Sequence, residues 1–173
     1  MRTTDTINTP AIEQTAWRID PDRSSIQFHT KNLWGIETVK GRFARYHGTL
    51  DLSGAPAVEL TIDADSLDTG NKRRDKHLRS PDFFDVARNP YVRFVSEKAT
   101  LTGDRLKVHG RLHARGASIA LDVDATLRRD GDELEIEAVT LADHRRLGMT
   151  WSPLAMLRAP SRLIVQGRLL RTA

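Results

Sequence analysis

The chain has 173 residues, 39 % hydrophobic and 29 % charged, the size of one domain able to bury about 70 % of its unfolded surface. It contains no cysteine, which excludes disulfides, thiolate nucleophiles and cysteine-based zinc sites. No apolar run approaches the roughly 18 residues of a membrane-spanning helix. The formal net charge of +4 allows an anionic partner. No stacking aromatics interleave with the bases, however, so no nucleic-acid binding is expected.

The opening residues 1–15 are polar and lack both an apolar h-region and an A-x-A-like cleavage site. They are expected to form a mobile arm, with residues 16–173 as a single domain in a cytoplasmic protein without stable membrane insertion. From there on, period-two alternation dominates, the mark of strands with one buried face. In SSIQFHTK, Ile26, Phe28 and Thr30 face one way while Gln27, His29 and Lys31 face the other. The Val39-Lys40-Gly41 step reads as a bend or bulge before a strand over residues 41–52. In AVELTIDA, Val58, Leu60 and Ile62 oppose Glu59, Thr61 and Asp63.

The alternation then stops. Asn71 to Arg79 carry five Lys or Arg with Asp75 and His77, and every residue from Lys72 to Arg79 tolerates a helix. Asp75 and Arg79 are spaced for an acid-to-base pair one helical turn apart. Pro81 ends this turn and can begin another over Asp82-Phe83-Phe84-Asp85, and Asn89-Pro90 resets the chain to extended. A long excursion in a tight meander covers one mouth of a barrel, with Leu78, Phe83 and Phe84 as its plug.

Strand patterns resume over residues 91–101, then in RLKVHGRLH, SIALDVDATLR, ELEIEA and RLIVQGRLL. A short further strand is expected over 146–151. Thr102-Gly103-Asp104 and Arg129-Asp130-Gly131-Asp132 are hairpin signals. About eight antiparallel strands, each with a single apolar face, predict an all-β barrel with a short helical connection between about Asn71 and Asp85, because closure alone removes the sheet edges. No phosphate-binding glycine motif or βαβ rhythm occurs, so a nucleotide-binding α/β fold is not expected.

Two blocks resemble the YceI-like family of lipocalin-like, polyisoprenoid-binding barrel proteins. WRIDPDRSSIQFHTKNLWGIETVKGRF is similar to the family's opening, with Val39, Gly41 and Phe43 as its Val-x-Gly-x-Phe motif. SLDTGNKRRDKHLRSPDFFDVARNPYVRFVS keeps Ser66, Asp68, Thr69, Asn71, Arg74, Asp75, His77, Leu78, Phe83, Phe84, Pro90, Phe94 and Ser96 in register. The resemblance runs from about Trp17 to Gly167 and weakens downstream. The stretch from Gly110 to Ala120 lacks the family's proline, and Asp143-His144-Arg145-Arg146-Leu147-Gly148 is a degenerate Asp-Arg-x-x-Phe-Gly.

The resemblance implies an apolar interior that holds an isoprenoid or other long-chain amphiphile for storage or transport, without catalysis or cofactor. It also admits a homodimer. The tail lining would include Phe28, Phe43, Leu60, Leu78, Phe83, Phe84, Phe94, Val108 and Trp151. Sequence alone does not separate such a lining from a packed core, since both demand the same side chains. Asn71, Arg74, Asp75 and His77 are the candidates for a head group at the mouth. The same cluster could instead fix the connection structurally, or serve a small enzyme acting on a lipid-like substrate. His109 and His113 share a strand face but lie about 13 Å apart, too far for one metal ion, and no metal site is expected.

Overall fold

The computed structural model describes residues 12–32, 37–149 and 157–172. In chain order the elements are β1 (Ala16–Asn32), β2 (Thr38–Phe43), β3 (Tyr46–Asp51), β4 (Ala57–Asp63), β5 (Leu67–Asp68), α1 (Lys72–Arg79), β6 (Tyr91–Thr102), β7 (Arg105–Ala114), β8 (Ala117–Asp130), β9 (Glu133–Ala142) and β10 (Leu157–Arg171). All pairings are antiparallel, and each strand from β6 to β10 pairs with the next. β10 returns to pair along β1, from Trp17 opposite Arg171 to Asn32 opposite Leu157, and this closes the barrel.

The ring has eight positions because two of them hold broken strands. β2 and β3 lie end to end against β1, and β5 and β4 lie end to end against β2 and β3. The strand expected over residues 41–52 is therefore interrupted at Ala44-Arg45. The cause is Ser66, in a short 3-10 turn over Ala64–Ser66 between β4 and β5. Its hydroxyl accepts from the Ala44 and Arg45 N–H groups at 3.1 and 3.0 Å and donates to the Asp63 carbonyl at 2.7 Å. A buried side chain thus satisfies donors that a continuous ladder would have used.

Gly41 is no bulge either, since β1 and β2 keep one register from Lys31–Thr38 to Ile26–Phe43. Glycine stands there because the Phe28 ring of the facing strand covers it: a Cβ would lie 2.1 Å from Phe28 Cζ.

The expected strand over 146–151 is, in its described part, a 3-10 turn over His144–Leu147. Asp143 caps it by accepting from the Arg145 N–H at 3.1 Å, and Gly148 ends it at φ 85°, a conformation glycine adopts freely. The connection after β5 contains α1 as expected. The second turn expected at Asp82–Asp85 folds instead as non-helical turns, in which the Phe83 and Asp85 N–H groups both donate to the Ser80 carbonyl and Asp85 takes φ 49°.

The polar arm expected over residues 1–15 is described only from Ile12. That part is docked: Glu13 pairs with Arg129 at 3.2 Å and Arg171 at 2.5 Å, and the Leu52 N–H donates to the Thr15 carbonyl.

Candidate functional site

The inward faces of the strands do not meet completely. They border a partly open cavity of ≈ 210 Å³ lined mainly by aliphatic and aromatic side chains. An apolar cavity of about 150 Å³ already suffices to stay dry and take up a benzene-sized guest. The interior is thus not a solid core: packed residues border a real void.

The eight described residues of the expected tail lining all border this void. Phe28, Phe43, Phe94 and Val108 reach it from β1, β2, β6 and β7 and are buried, while Leu60 of β4 is half-buried. Strand alternation puts them there, since each shares its face with the other inward residues of its strand. Leu78 from α1, with Phe83 and Phe84 from the turns after it, borders the void where the connection crosses the barrel end. Phe84 meets Phe43 edge-on at 5.9 Å between centroids and Phe28 at 6.5 Å, and Phe28 lies 5.6 Å from Phe43. These tilted contacts suit the quadrupoles of the rings and fasten the cover to the first two strands. Trp151 and Trp34 lie outside the described residues. Met149 is buried and borders the void.

The four head-group candidates are held elsewhere, and none of them borders the void. Asn71 caps α1, its side-chain oxygen accepting from the Arg74 N–H at 3.0 Å. Asp75 is buried and accepts from the Thr69 N–H at 3.0 Å and the Thr69 hydroxyl at 2.5 Å. Arg74 donates to the Thr69 hydroxyl at 2.9 Å and the Thr69 carbonyl at 3.1 Å. His77 Nε2 contacts the Asp82 carboxylate at 3.0 Å, and its ring meets Phe83 edge-on at 5.2 Å.

The cluster therefore divides. Asp75 and Arg74 converge on Thr69 and His77 turns to Asp82, so no acid–base pair forms between Asp75 and His77. The Asp75–Arg79 pair suggested by their spacing is also unmade. Arg79 instead pairs with Asp65 at 3.2 Å and donates to the Asp65 and Leu67 carbonyls at 3.0 and 2.7 Å, tying α1 to the barrel rim. Arg115, from the β7–β8 turn, donates to the Pro81 carbonyl at 2.6 Å and holds the far side of the cover.

One polar group of the cavity was not singled out from the sequence. Thr30 of β1, Ser161 of β10 and His144 of the 3-10 turn meet at the covered end of the barrel. Ser161 Oγ lies 2.8 Å from Thr30 Oγ1 and 2.8 Å from His144 Nδ1. The three residues are only 2 %, 8 % and 7 % exposed, and all of them border the void. The signal existed in part: Thr30 shares the inward face of Ile26 and Phe28, and Ser161 is two residues from inward Leu163. What no periodicity conveys is that strands 131 positions apart bring the two hydroxyls together.

This architecture matches known proteins. The chain of BcnA from Burkholderia cenocepacia superposes with a TM-score of 0.79 at 18 % identity, over 87 % of this chain and 98 % of that one. A polyisoprenoid binding domain from Saccharophagus degradans superposes with a TM-score of 0.74 at 13 % identity, over 92 % and 100 %. At these identities the likeness concerns the fold. In sequence, a UPF0312 protein of Pseudomonas aeruginosa (strain LESB58) is 33 % identical over 123 residues, which cover 68 % of this chain and 64 % of that protein. Protein YceI of Salmonella arizonae is 32 % identical with the same coverage, so the match spans somewhat under two thirds of these relatives' length. The YceI-like domain family matches residues 17–165, from the closing strand β1 into β10, and the chain belongs to that family.

Proposed function

We propose that the barrel binds the apolar chain of a long lipid or amphiphile, polyisoprenoid-like or fatty, and stores or carries it in the cytoplasm without catalysis. One observation carries the reading: a closed barrel surrounds a ≈ 210 Å³ void bordered by Phe28, Phe43, Leu60, Phe94 and Val108 and covered by Leu78, Phe83 and Phe84. Transfer of hydrocarbon from water is favourable by about 0.8 kcal/mol per buried CH₂, so such a lining supplies affinity without a charged contact. The polyisoprenoid binding domain of Saccharophagus degradans, which shares the fold, supports the ligand class. The α1 cluster has the task of holding the cover, because Asn71, Arg74 and Asp75 spend their hydrogen bonds on the connection itself.

The test is extraction of natively purified protein with organic solvent and mass spectrometry of the extract. A stoichiometric long-chain compound, absent from a Phe28→Glu variant that still folds, is the expected result. An empty extract together with failure to take up N-phenyl-1-naphthylamine would overturn the reading.

A further inference from the structure

The void is bordered mainly by apolar residues, and its buried polar residues are Thr30, Ser161 and His144, whereas Gln27 and Thr140 are half-buried and Thr49 and Glu59 exposed. Burying hydroxyl and imidazole groups is unfavourable unless they are hydrogen-bonded, and a cavity shaped for hydrocarbon alone is served by Val or Leu at such positions. The neighbouring inward positions are of that kind: Ile26 and Phe28 on β1, Leu163 and Val165 on β10. The polar group is therefore a local feature of the lining, assembled from three separate elements.

Its hydrogen bonds leave capacity toward the void. A hydroxyl can make three, one as donor and two as acceptor. Among the described residues Thr30 Oγ1 makes one side-chain bond and Ser161 Oγ two. The two hydroxyls can also exchange donor and acceptor roles together. If His144 Nδ1 donates to Ser161, a hydroxyl hydrogen is left for a ligand; if it accepts, hydroxyl lone pairs are left instead.

Charge narrows the ligand further. Among the described residues no Lys or Arg borders the void, and the carboxylate of bordering Glu59 is exposed and faces Arg93 at 3.3 Å. The basic side chains of α1 lie outside it. A phosphate seated here would lose its hydration without a lysine or arginine of the described lining in exchange, which is costly in an apolar cavity.

We propose that Thr30, Ser161 and His144 form an anchor for the uncharged, hydrogen-bonding end of an amphiphile, an alcohol, amide or carbonyl terminus, with its chain running into the apolar void. The proposal rests on the lipid-binding reading and adds the orientation and head-group class of the ligand.

The test is displacement of N-phenyl-1-naphthylamine by four probes of one chain length: decane, 1-decanol, decanamide and decyl phosphate. The wild-type protein is expected to bind decanol and decanamide more tightly than decane, and decyl phosphate most weakly. Thr30→Val and Ser161→Ala should each weaken decanol and decanamide by about 3- to 10-fold, the range of one net hydrogen bond, and leave decane unchanged. Thr30→Ser keeps the hydroxyl and should keep the preference, which separates loss of the anchor from loss of folding.

Equal affinity for decane and decanol, insensitive to these substitutions, would overturn the anchor and leave the lipid-binding reading intact. A preference for decyl phosphate would do the same. If none of the four displaces the dye, the lipid-binding reading itself fails.

Discussion

Replacing Gly41 by alanine tests whether the close approach of Phe28 determines this part of the barrel. Phe28 and Gly41 are directly paired across β1 and β2. The added methyl would lie 2.1, 2.4 and 2.8 Å from Cζ, Cε1 and Cε2 of the ring. Carbon atoms rest at about 3.5–4.0 Å, so the ring must retreat by roughly 1.5 Å. Its neighbours Phe43 and Phe84, at 5.6 and 6.5 Å, restrict that retreat to the void.

Overpacking of this kind costs about 1–3 kcal/mol, against a gain of about 0.5–1 kcal/mol from the less flexible unfolded chain. The net expectation for Gly41→Ala is a loss of up to about 2.5 kcal/mol, centred near about 1 kcal/mol, which in a domain of this size lowers Tm by up to roughly 10 °C. Thermal unfolding followed by circular dichroism measures it. The same retreat narrows the void, so uptake of N-phenyl-1-naphthylamine should fall in parallel. Phe28→Leu removes the obstructing atoms, and the double variant should show a coupling of at least about 0.5 kcal/mol. An unchanged or raised Tm in Gly41→Ala, with strictly additive effects in the double variant, would refute the close-approach account.

Ser66→Ala should cost about 1–3 kcal/mol in urea unfolding, because it removes the hydroxyl acceptor of the Arg45 N–H and leaves the Ala44 N–H only the Ser66 carbonyl, and an unchanged midpoint would show that the kink does not depend on the Ser66 hydroxyl. Asp75→Ala should destabilise by about 1–3 kcal/mol, since it removes a buried acceptor from both half-buried Thr69 donors, whereas His77→Ala should stay within about 1 kcal/mol because the Asp82 carboxylate it contacts is exposed. The reverse order would restore His77 as the more important member of the cluster. Burial first, and then Lys40 and Arg162 on the flanking strands, hold the His29 imidazole below its usual pKa. The folded chain therefore binds that proton less readily than the unfolded chain. The stability involved is present above about pH 6.5 and is lost as the pH falls through the depressed folded value. His29→Gln should lose less stability between pH 7 and pH 5 than the wild type in urea unfolding, and identical losses would contradict the assignment.

Much of the fold is legible in the residues themselves. A period of two fixes which side chains of Ile26, Phe28 and Thr30, or of Leu106, Val108 and Leu112, face inward, because successive side chains of a strand must point to opposite faces. Pro81 follows the end of α1, and Asn89-Pro90 closes the connection to β6, for equally local reasons, through the conformations proline forbids. Inward aromatics such as Phe43 and Phe94 follow from the same rule, and so the apolar border of the cavity was readable residue by residue.

Other features depend on contacts between distant segments, to which a local pattern is blind. The break between β2 and β3 is made by Ser66, some twenty residues away, and the glycine at 41 by a ring on the facing strand. The charged block of α1 offered several acid–base pairings by spacing, and tertiary hydrogen bonds to Thr69, Asp65 and Leu67 selected among them. Whether the inward side chains fill the barrel is a matter of closure geometry, since eight twisted strands set the enclosed volume before any side chain occupies it. The meeting of Thr30, His144 and Ser161 likewise exists only because β10 returns to close against β1.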